Sequence, residues 1–540
     1  MKKGRDILLL LMLCTVIVYF NHFDNSFHFD DSHTIVNNLS IRNLHNIPSF
    51  FTDGSTFSSL PPNQSYRPVV TTLNAIDYAL SDEKNLKPFW FHVSIFASFI
   101  FSGLLLYLFL LHLLGKTRYG NYKTEISLLV TGWFWLHPAN AETINYIIAR
   151  SDSFSTCMVL LAFVLYCCWP LAKRSFLYLV PFIIGFLSKE TAIIFLPLLF
   201  LYEFLIGNED DEKPMLRLIL GIVKKLIIPI IVSGALLLLY KEMQPATWEA
   251  GGEYNKQGYW LTQPYGILHY VGNFFYPRHL VADTDWEWVH SPSDYRFIVG
   301  VSFVLLLITA SIYFSFKKRF RLIGFGLWWF LLALLPTSLV PLAEVINDHR
   351  TFFPYIGLFI SAAGLLQYLQ ERTGVWLEKK TLRVILPAVV LTFLVSMALM
   401  TWQRNKVWHS EYSLWKEVTE KAPANGRGWM HYGISQMAAG DFKGADSSFN
   451  LANQLLPGYS FIYINYGVLK NAMGEFAEAE DYFRTAISFG ATNPEAYARY
   501  AEFLINQNRS REARTIINKG LLLSPHHEML ITLDKKIGEK

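Results

Sequence analysis

Eleven mainly apolar stretches crowd the first 402 residues of this chain, near 6–20, 90–114, 124–147, 153–170, 175–188, 191–206, 218–240, 296–316, 322–342, 353–369 and 384–402. A helix needs roughly 17–25 such residues to cross a bilayer, and in lipid its backbone must satisfy its own polar groups. The sequence therefore predicts an all-α, polytopic membrane helix bundle. Composition agrees, because 52% hydrophobic and 17% charged residues argue against a purely soluble enzyme, and 42 Phe, 28 Tyr and 15 Trp exclude disorder for most of the chain. The opening MKKGRDILLLLMLCTVIVYF starts like a secretory signal, but no small-residue cleavage site follows, so it reads as an uncleaved first span. Cys14, Cys157, Cys167 and Cys168 all fall in apolar runs, which offers neither a disulfide framework nor zinc-ligand spacing. A net charge of +4 is too small to argue for nucleic acid.

The basic residues give the bundle a direction. With the N-terminus cytoplasmic, the inside loops hold Lys2, Lys3, Arg5, Lys116, Arg118, Lys123, Lys173, Arg174, Lys213, Arg217, Lys317, Lys318, Arg319, Arg321, Arg372, Lys379, Lys380 and Arg383, whereas the short outside loops hold Arg150, Lys189 and Arg350. That asymmetry is the positive-inside pattern. An odd number of spans then puts the connections at about 21–89 and 241–295, and everything after about 403, on the non-cytoplasmic side.

After Trp402 the pattern changes to a soluble one with a period of 34 residues: Gly433 aligns with Gly467, Gly440 with Gly474 and Asn508, Ala445 with Ala479 and Ala513, Phe449 with Phe483 and Ile517, and Tyr432 with Tyr466 and Tyr500. This is the tetratricopeptide pattern of stacked helix pairs, an α-solenoid with a concave face suited to extended peptides or partner proteins. Two domains follow, residues 1–402 in the membrane and residues 403–540 as repeats on the non-cytoplasmic side. Tyr432, Tyr466 and Tyr500 are the candidate acceptor- or partner-binding positions.

Polar residues near one membrane face are the candidates for chemistry. Asp30 and Asp31 in FDDSHTIVNN could supply a general base or orient a hydroxyl, and an Asp-Asp pair equally well caps a helix or turn. HPANAETINYIIARSD places His137, Glu142, Arg150 and Asp152 together at the ends of two spans. Lys189 and Glu190 interrupt two apolar helices at LSKETAI. EVINDHRTFFPY brings Glu344, Asp348, His349 and Arg350 before a span, where an arginine is suited to bidentate phosphate binding. YPRHLVADTDWEWVH adds Arg278, His279, Asp283 and Asp285, and Arg67 re-enters towards the membrane at YRPVVTT. Each cluster also has a structural reading as an ion pair, a cap or an interfacial anchor. No phosphate-cradling glycine loop, HExxH or GxSxG is present, so nucleotide chemistry has no support.

The order of these motifs, FDDSHTIVNN, RPVVTTLNAIDYAL, HPANAETINYIIARSD, SKETAI, FFYPRHLVAD, the His-Arg loop before FFPYIG, and WQRNKVWHSEYSLWKEVTEKAP running into repeats, resembles that of the transmembrane and tetratricopeptide-repeat (TMTC) O-mannosyltransferases and their bacterial relatives in the GT-C superfamily. The resemblance implies a glycosyltransferase that moves a sugar, mannose favoured, from a polyprenyl or dolichyl phosphate to a Ser or Thr hydroxyl of a protein acceptor at the outer face. Asp30 or Asp31 is then the base, Arg350 the phosphate ligand with His349, Arg150 and Lys189, and His137, Glu142, Asp152, Glu190 and Arg278 support them. Where the family has H-P-x-H-T-E, this chain reads His137-Pro138-Ala139-Asn140-Ala141-Glu142 and lacks the second histidine of a metal pair, so a divalent cation stays open and no other cofactor is implied. The repeat array is shorter than in animal members, which favours a bacterial inner membrane, with the endoplasmic reticulum as the eukaryotic counterpart. Alternatives are transfer to a lipid-linked or polysaccharide acceptor, or a non-enzymatic membrane scaffold that presents the repeats.

Overall fold

The computed structural model describes residues 2–81, 86–116, 122–207, 214–247, 255–342, 344–373, 382–525 and 527–538, and among these every regular element is helical. Of the cations counted above, Arg118, Lys213, Lys379 and Lys380 lie outside the described residues. The chain divides into two compact units, Met1–Ala282 with Trp286–Ser410, and Asp283–Asp285 with Glu411–Lys540. The first unit runs on to Ser410 because the last membrane helix, Leu382–Val407, continues through Trp402.

Among the described residues eight helices, not eleven, are long and apolar enough to cross a bilayer, and nine qualify when a bent pair is counted as one span. This is a multi-pass membrane protein. Three expected spans take other forms. The third is the 14-residue helix Lys123–Leu136, about 21 Å long at 1.5 Å per residue and short of a hydrocarbon core about 30 Å thick. It ends where His137 and Pro138 break the ladder, and side chains take over the freed carbonyls: Asn140 Nδ2 donates to Phe134 O at 2.7 Å and Thr401 Oγ1 to Leu136 O at 2.7 Å. The fifth is the 10-residue helix Leu179–Ser188. The seventh splits into Met215–Lys225 and Ile227–Met243, bent by 59°, with Pro229 two residues into the second helix, a position that fits a kink.

The bundle core is aromatic, with Phe99, Phe134, Trp135, Trp329, Phe352 and Phe359 all buried. Two helices, Arg321–Leu339 and Phe352–Thr373, approach most closely where Gly326 faces Gly357, since a Cβ on either would run into the other's carbonyl. Small residues at such crossings let dispersion forces hold membrane helices together without a hydrophobic driving force.

The second unit keeps the sequence period. Its helix pairs begin at Gly426 and Phe442, Ser460 and Phe476, and Pro494 and Ser510, each start 34 residues after its counterpart. Gly440, Gly474 and Asn508 occupy one turn position with φ of 82°, 80° and 61°, the left-handed region that glycine and asparagine reach at least cost. At Gly433 and Gly467 an added Cβ would sit 2.5 Å and 2.7 Å from the rings of Phe449 and Phe483, so glycine is what permits each pair of helices to touch.

Candidate functional site

The loop after the first span is anchored by an asparagine knot. Asn145 Oδ1 accepts from Asn25 Nδ2 and pairs with His22 Nδ1, while Asn145 Nδ2 donates to Asn405 Oδ1 at 2.7 Å. His28 Nε2 donates to Trp408 O at 2.7 Å. These bonds tie three distant stretches of sequence to one place, and the FDD turn is built on them.

That turn separates its two carboxylates. Phe29 stands at φ +46°, a strained value for a bulky residue, which marks a locally enforced geometry. Asp31 points inward, fully buried, and accepts from His28 N at 3.0 Å and Ile148 N at 2.9 Å. Asp30 points outward with its side chain half exposed, 3.3 Å from His33 Nε2, and its backbone N–H donates to the Tyr146 hydroxyl at 3.2 Å. Their acidities diverge. Burial pushes the Asp31 carboxyl up to about 7. Burial also acts to raise Asp30, but the hydrogen bond and charge of His33, with Tyr146 and His349, outweigh it and hold Asp30 below the usual carboxylate range.

The 137–152 and 344–355 stretches meet beside this turn. Glu142, buried, accepts from His349 Nδ1 at 2.8 Å, and its other oxygen finds no hydrogen-bond partner among the described residues. The His349 ring lies 6.0 Å from that of Tyr146, edge to face. Arg350 Nη1 donates to Glu344 O at 2.9 Å and Nη2 lies 3.6 Å from Glu344 Oε2, and the guanidinium's charge reaches Tyr259 and Tyr270. The chain thus brings Asp30, Glu142 and His349 into one neighbourhood around Tyr146, with Arg350 next in sequence to His349 and turned to Glu344.

Among the described residues Arg150 and Lys189 pair elsewhere. Arg150 is buried, and its Nη2 makes a 2.6 Å ion pair with Asp77 Oδ2 and donates to Ser94 Oγ and Phe91 O. Lys189 lies 2.6 Å from Asp152, and Arg67 pairs with Glu190 at 3.3 Å. His137 is buried, with Nε2 donating to Phe274 O and Nδ1 accepting from Ala139 N, so both ring nitrogens serve the helix break. Arg278 is exposed, with its guanidinium 4.6 Å from the Tyr276 ring centroid. In the repeats, Tyr466 and Tyr500 are buried with their hydroxyls on Asn450 and Glu480, so their rings pack inside the repeat, and Tyr432 donates to the Tyr412 hydroxyl. Among the described residues no three His, Cys, Asp or Glu side chains are grouped to hold a metal ion. The apolar cavity lined by Leu196, Pro197, Phe200, Val223, Leu226 and Ile230 includes none of these groups.

Sequence reasoning gave no role to His33, Asp77 or Tyr146. His33 carried a signal, its i, i+3 spacing from Asp30, while Asp77 sits unmarked in an apolar helix and Tyr146 in an apolar run.

A tetratricopeptide repeat family model matches residues 470–532. The chain is similar over most of its length to protein O-mannosyl-transferases: F38B6.6 of Caenorhabditis elegans (22% identical, 85% of this chain and 64% of that one), TMTC4 of Homo sapiens (24%, 78% and 62%) and TMTC3 of Homo sapiens (22%, 99% and 63%). It spans a little under two thirds of the length of these relatives. They bear out the resemblance drawn from the motifs. The crystal structure of the APC/C hetero-tetramer Cut9-Hcn1 aligns over 87% of this chain and 89% of that one at 14% identity, with a TM-score of 0.24, too low to indicate a shared fold.

Proposed function

We propose that this chain is a GT-C-type membrane glycosyltransferase that moves a sugar, mannose favoured, from a polyprenyl or dolichyl phosphate to a Ser or Thr hydroxyl of a protein. The observation that carries this reading is the divided Asp pair, in which one carboxylate is locked into the backbone and the other is half exposed beside His33. A lipid-phosphate sugar already has a good leaving group, so the protein must take the hydroxyl proton and hold the departing phosphate. Asp30 takes the proton. Arg350 holds the phosphate, because its ion pair with Glu344 is long, at 3.6 Å, whereas Arg150 and Lys189 are matched at 2.6 Å. A single displacement inverts the anomeric centre. The name of the relatives supports the activity, and the Lys and Arg at the start of the chain support a cytoplasmic N-terminus, which we assign to a bacterial inner membrane.

The test is transfer of labelled mannose from polyprenyl-phosphate mannose by the full chain in proteoliposomes to a Ser/Thr-rich protein. Alkali-labile label on the protein is the expected result. Label appearing only on lipid or polysaccharide would overturn the protein acceptor, and no release of label from the donor would overturn the donor.

A further inference from the structure

His33 follows Asp30 by three residues, and the two faces of its ring are both engaged. Nε2 lies 3.3 Å from Asp30 Oδ1, and Nδ1 lies 2.9 Å from Ser58 Oγ. The Ser58 oxygen also lies 3.1 Å from Leu60 O, and Leu60 N donates to it at 2.9 Å. Nδ1 and the Ser58 hydroxyl are thereby held together, whichever of the two carries the shared hydrogen. A carboxylate oxygen accepts, so the nitrogen facing Asp30, Nε2, is the one that carries a hydrogen. The backbone clamps the arrangement, since Ser59 N and Oγ both donate to His33 O, at 2.9 Å and 3.1 Å.

We propose that His33 is a positioning residue for Asp30, oriented by Ser58 so that a charge-assisted hydrogen bond holds one carboxylate oxygen and leaves the other to receive the acceptor's proton. The catalytic consequence rests on the reading of Asp30 as base, and the chemistry of the pair does not. In the transfer step the hydroxyl oxygen bonds to the anomeric carbon, the hydroxyl proton goes to the free oxygen of Asp30, and the carbon–phosphate-oxygen bond breaks with its electron pair on the phosphate. His33 gives and takes no proton in that step. The other groups facing Asp30 are the Tyr146 hydroxyl and His349 from neighbouring loops and the adjacent Asp31. None of them is itself altered by a substitution at His33 or Ser58.

A water-soluble carbodiimide reacts with protonated carboxyls, so labelling of Asp30 in the full-length protein, followed by tandem mass spectrometry as pH is varied, reads the pair without any assay of transfer. His33→Gln is expected to move the labelling midpoint up by about one pH unit, in line with the loss of an opposite charge at this range. His33→Lys, which returns the cation, is expected to bring it back towards wild type, and Ser58→Ala to give a smaller shift upward because the ring can then exchange tautomers. In the transfer assay His33→Gln should move the acid limb the same way and lower kcat more than KM. An unchanged labelling midpoint in His33→Gln, or in Ser58→Ala should the first variant fail to fold, overturns the proposal. A shifted midpoint in a protein whose wild type transfers nothing upholds the pair and defeats the enzymatic reading instead.

Discussion

Adjacent residues of identical chemistry take opposite parts here. Asp31 ends in two backbone N–H groups and Asp30 ends half in solvent, so the same substitution has different consequences at each. Asp31→Asn keeps the volume but one of its two side-chain heads becomes a donor facing a donor, and a loss of about 1–3 kcal/mol of stability is expected from the orphaned N–H, read as a lower thermal midpoint. The acidities add a sign. Because Asp30 lies below the usual carboxylate range, any stability its ionised form contributes is present above the unfolded value and is lost as pH falls through the folded one. Transfer should likewise persist into mild acid and fail only below the ordinary carboxylate range, which a pH profile of kcat/KM checks. The arginines divide the same way. Arg150→Met strands Asp77, itself buried, and should destabilise by about 3–5 kcal/mol, whereas Arg350→Lys, which keeps the charge, should lower the melting point less and raise the donor KM, since a lysine cannot make the bidentate contact.

At the scale of elements, what was legible depended on whether the signal was periodic. The repeats were read correctly from position 426 onward because a 34-residue period survives divergence, and the structure returns it at the positive-φ turn of Gly440, Gly474 and Asn508. That turn yields an expectation: Gly474→Asn should be nearly neutral and Gly467→Ala should cost about 1–3 kcal/mol by overpacking against Phe483, compared by thermal unfolding of the full chain. The membrane helices were read well where apolar length was sufficient. They were overcounted where it was not, because hydropathy is blind to a ladder broken at His137 and Pro138, to a 10-residue helix ended by Lys189, and to a 59° bend. The site residues lay in the stretches that sequence had marked, yet their grouping was not legible. Glu142 and His349 are 207 positions apart and 2.8 Å apart in space, and Arg150's partner Asp77 sits in a helix that offers no pattern to betray it.

At the scale of the whole molecule, several buried charges among the described residues are paired. Two buried or half-buried pairs, Arg150 with Asp77 and Lys189 with Asp152, hold the first unit together near its loops, and a third gathers Lys173 and Lys225 on Glu203. Against that background Asp30 is half exposed beside His33, and the proposed reaction gives it the hydroxyl proton. The most direct test compares transfer from polyprenyl-phosphate mannose by the wild-type chain, Asp30→Asn and Asp31→Asn, each normalised to folded protein by its melting curve. The account expects Asp30→Asn to melt as wild type does and to lose about 10²-fold or more in kcat, the scale of a missing general base, with Asp31→Asn losing stability and only a corresponding part of its activity. Wild-type transfer by folded Asp30→Asn would contradict it.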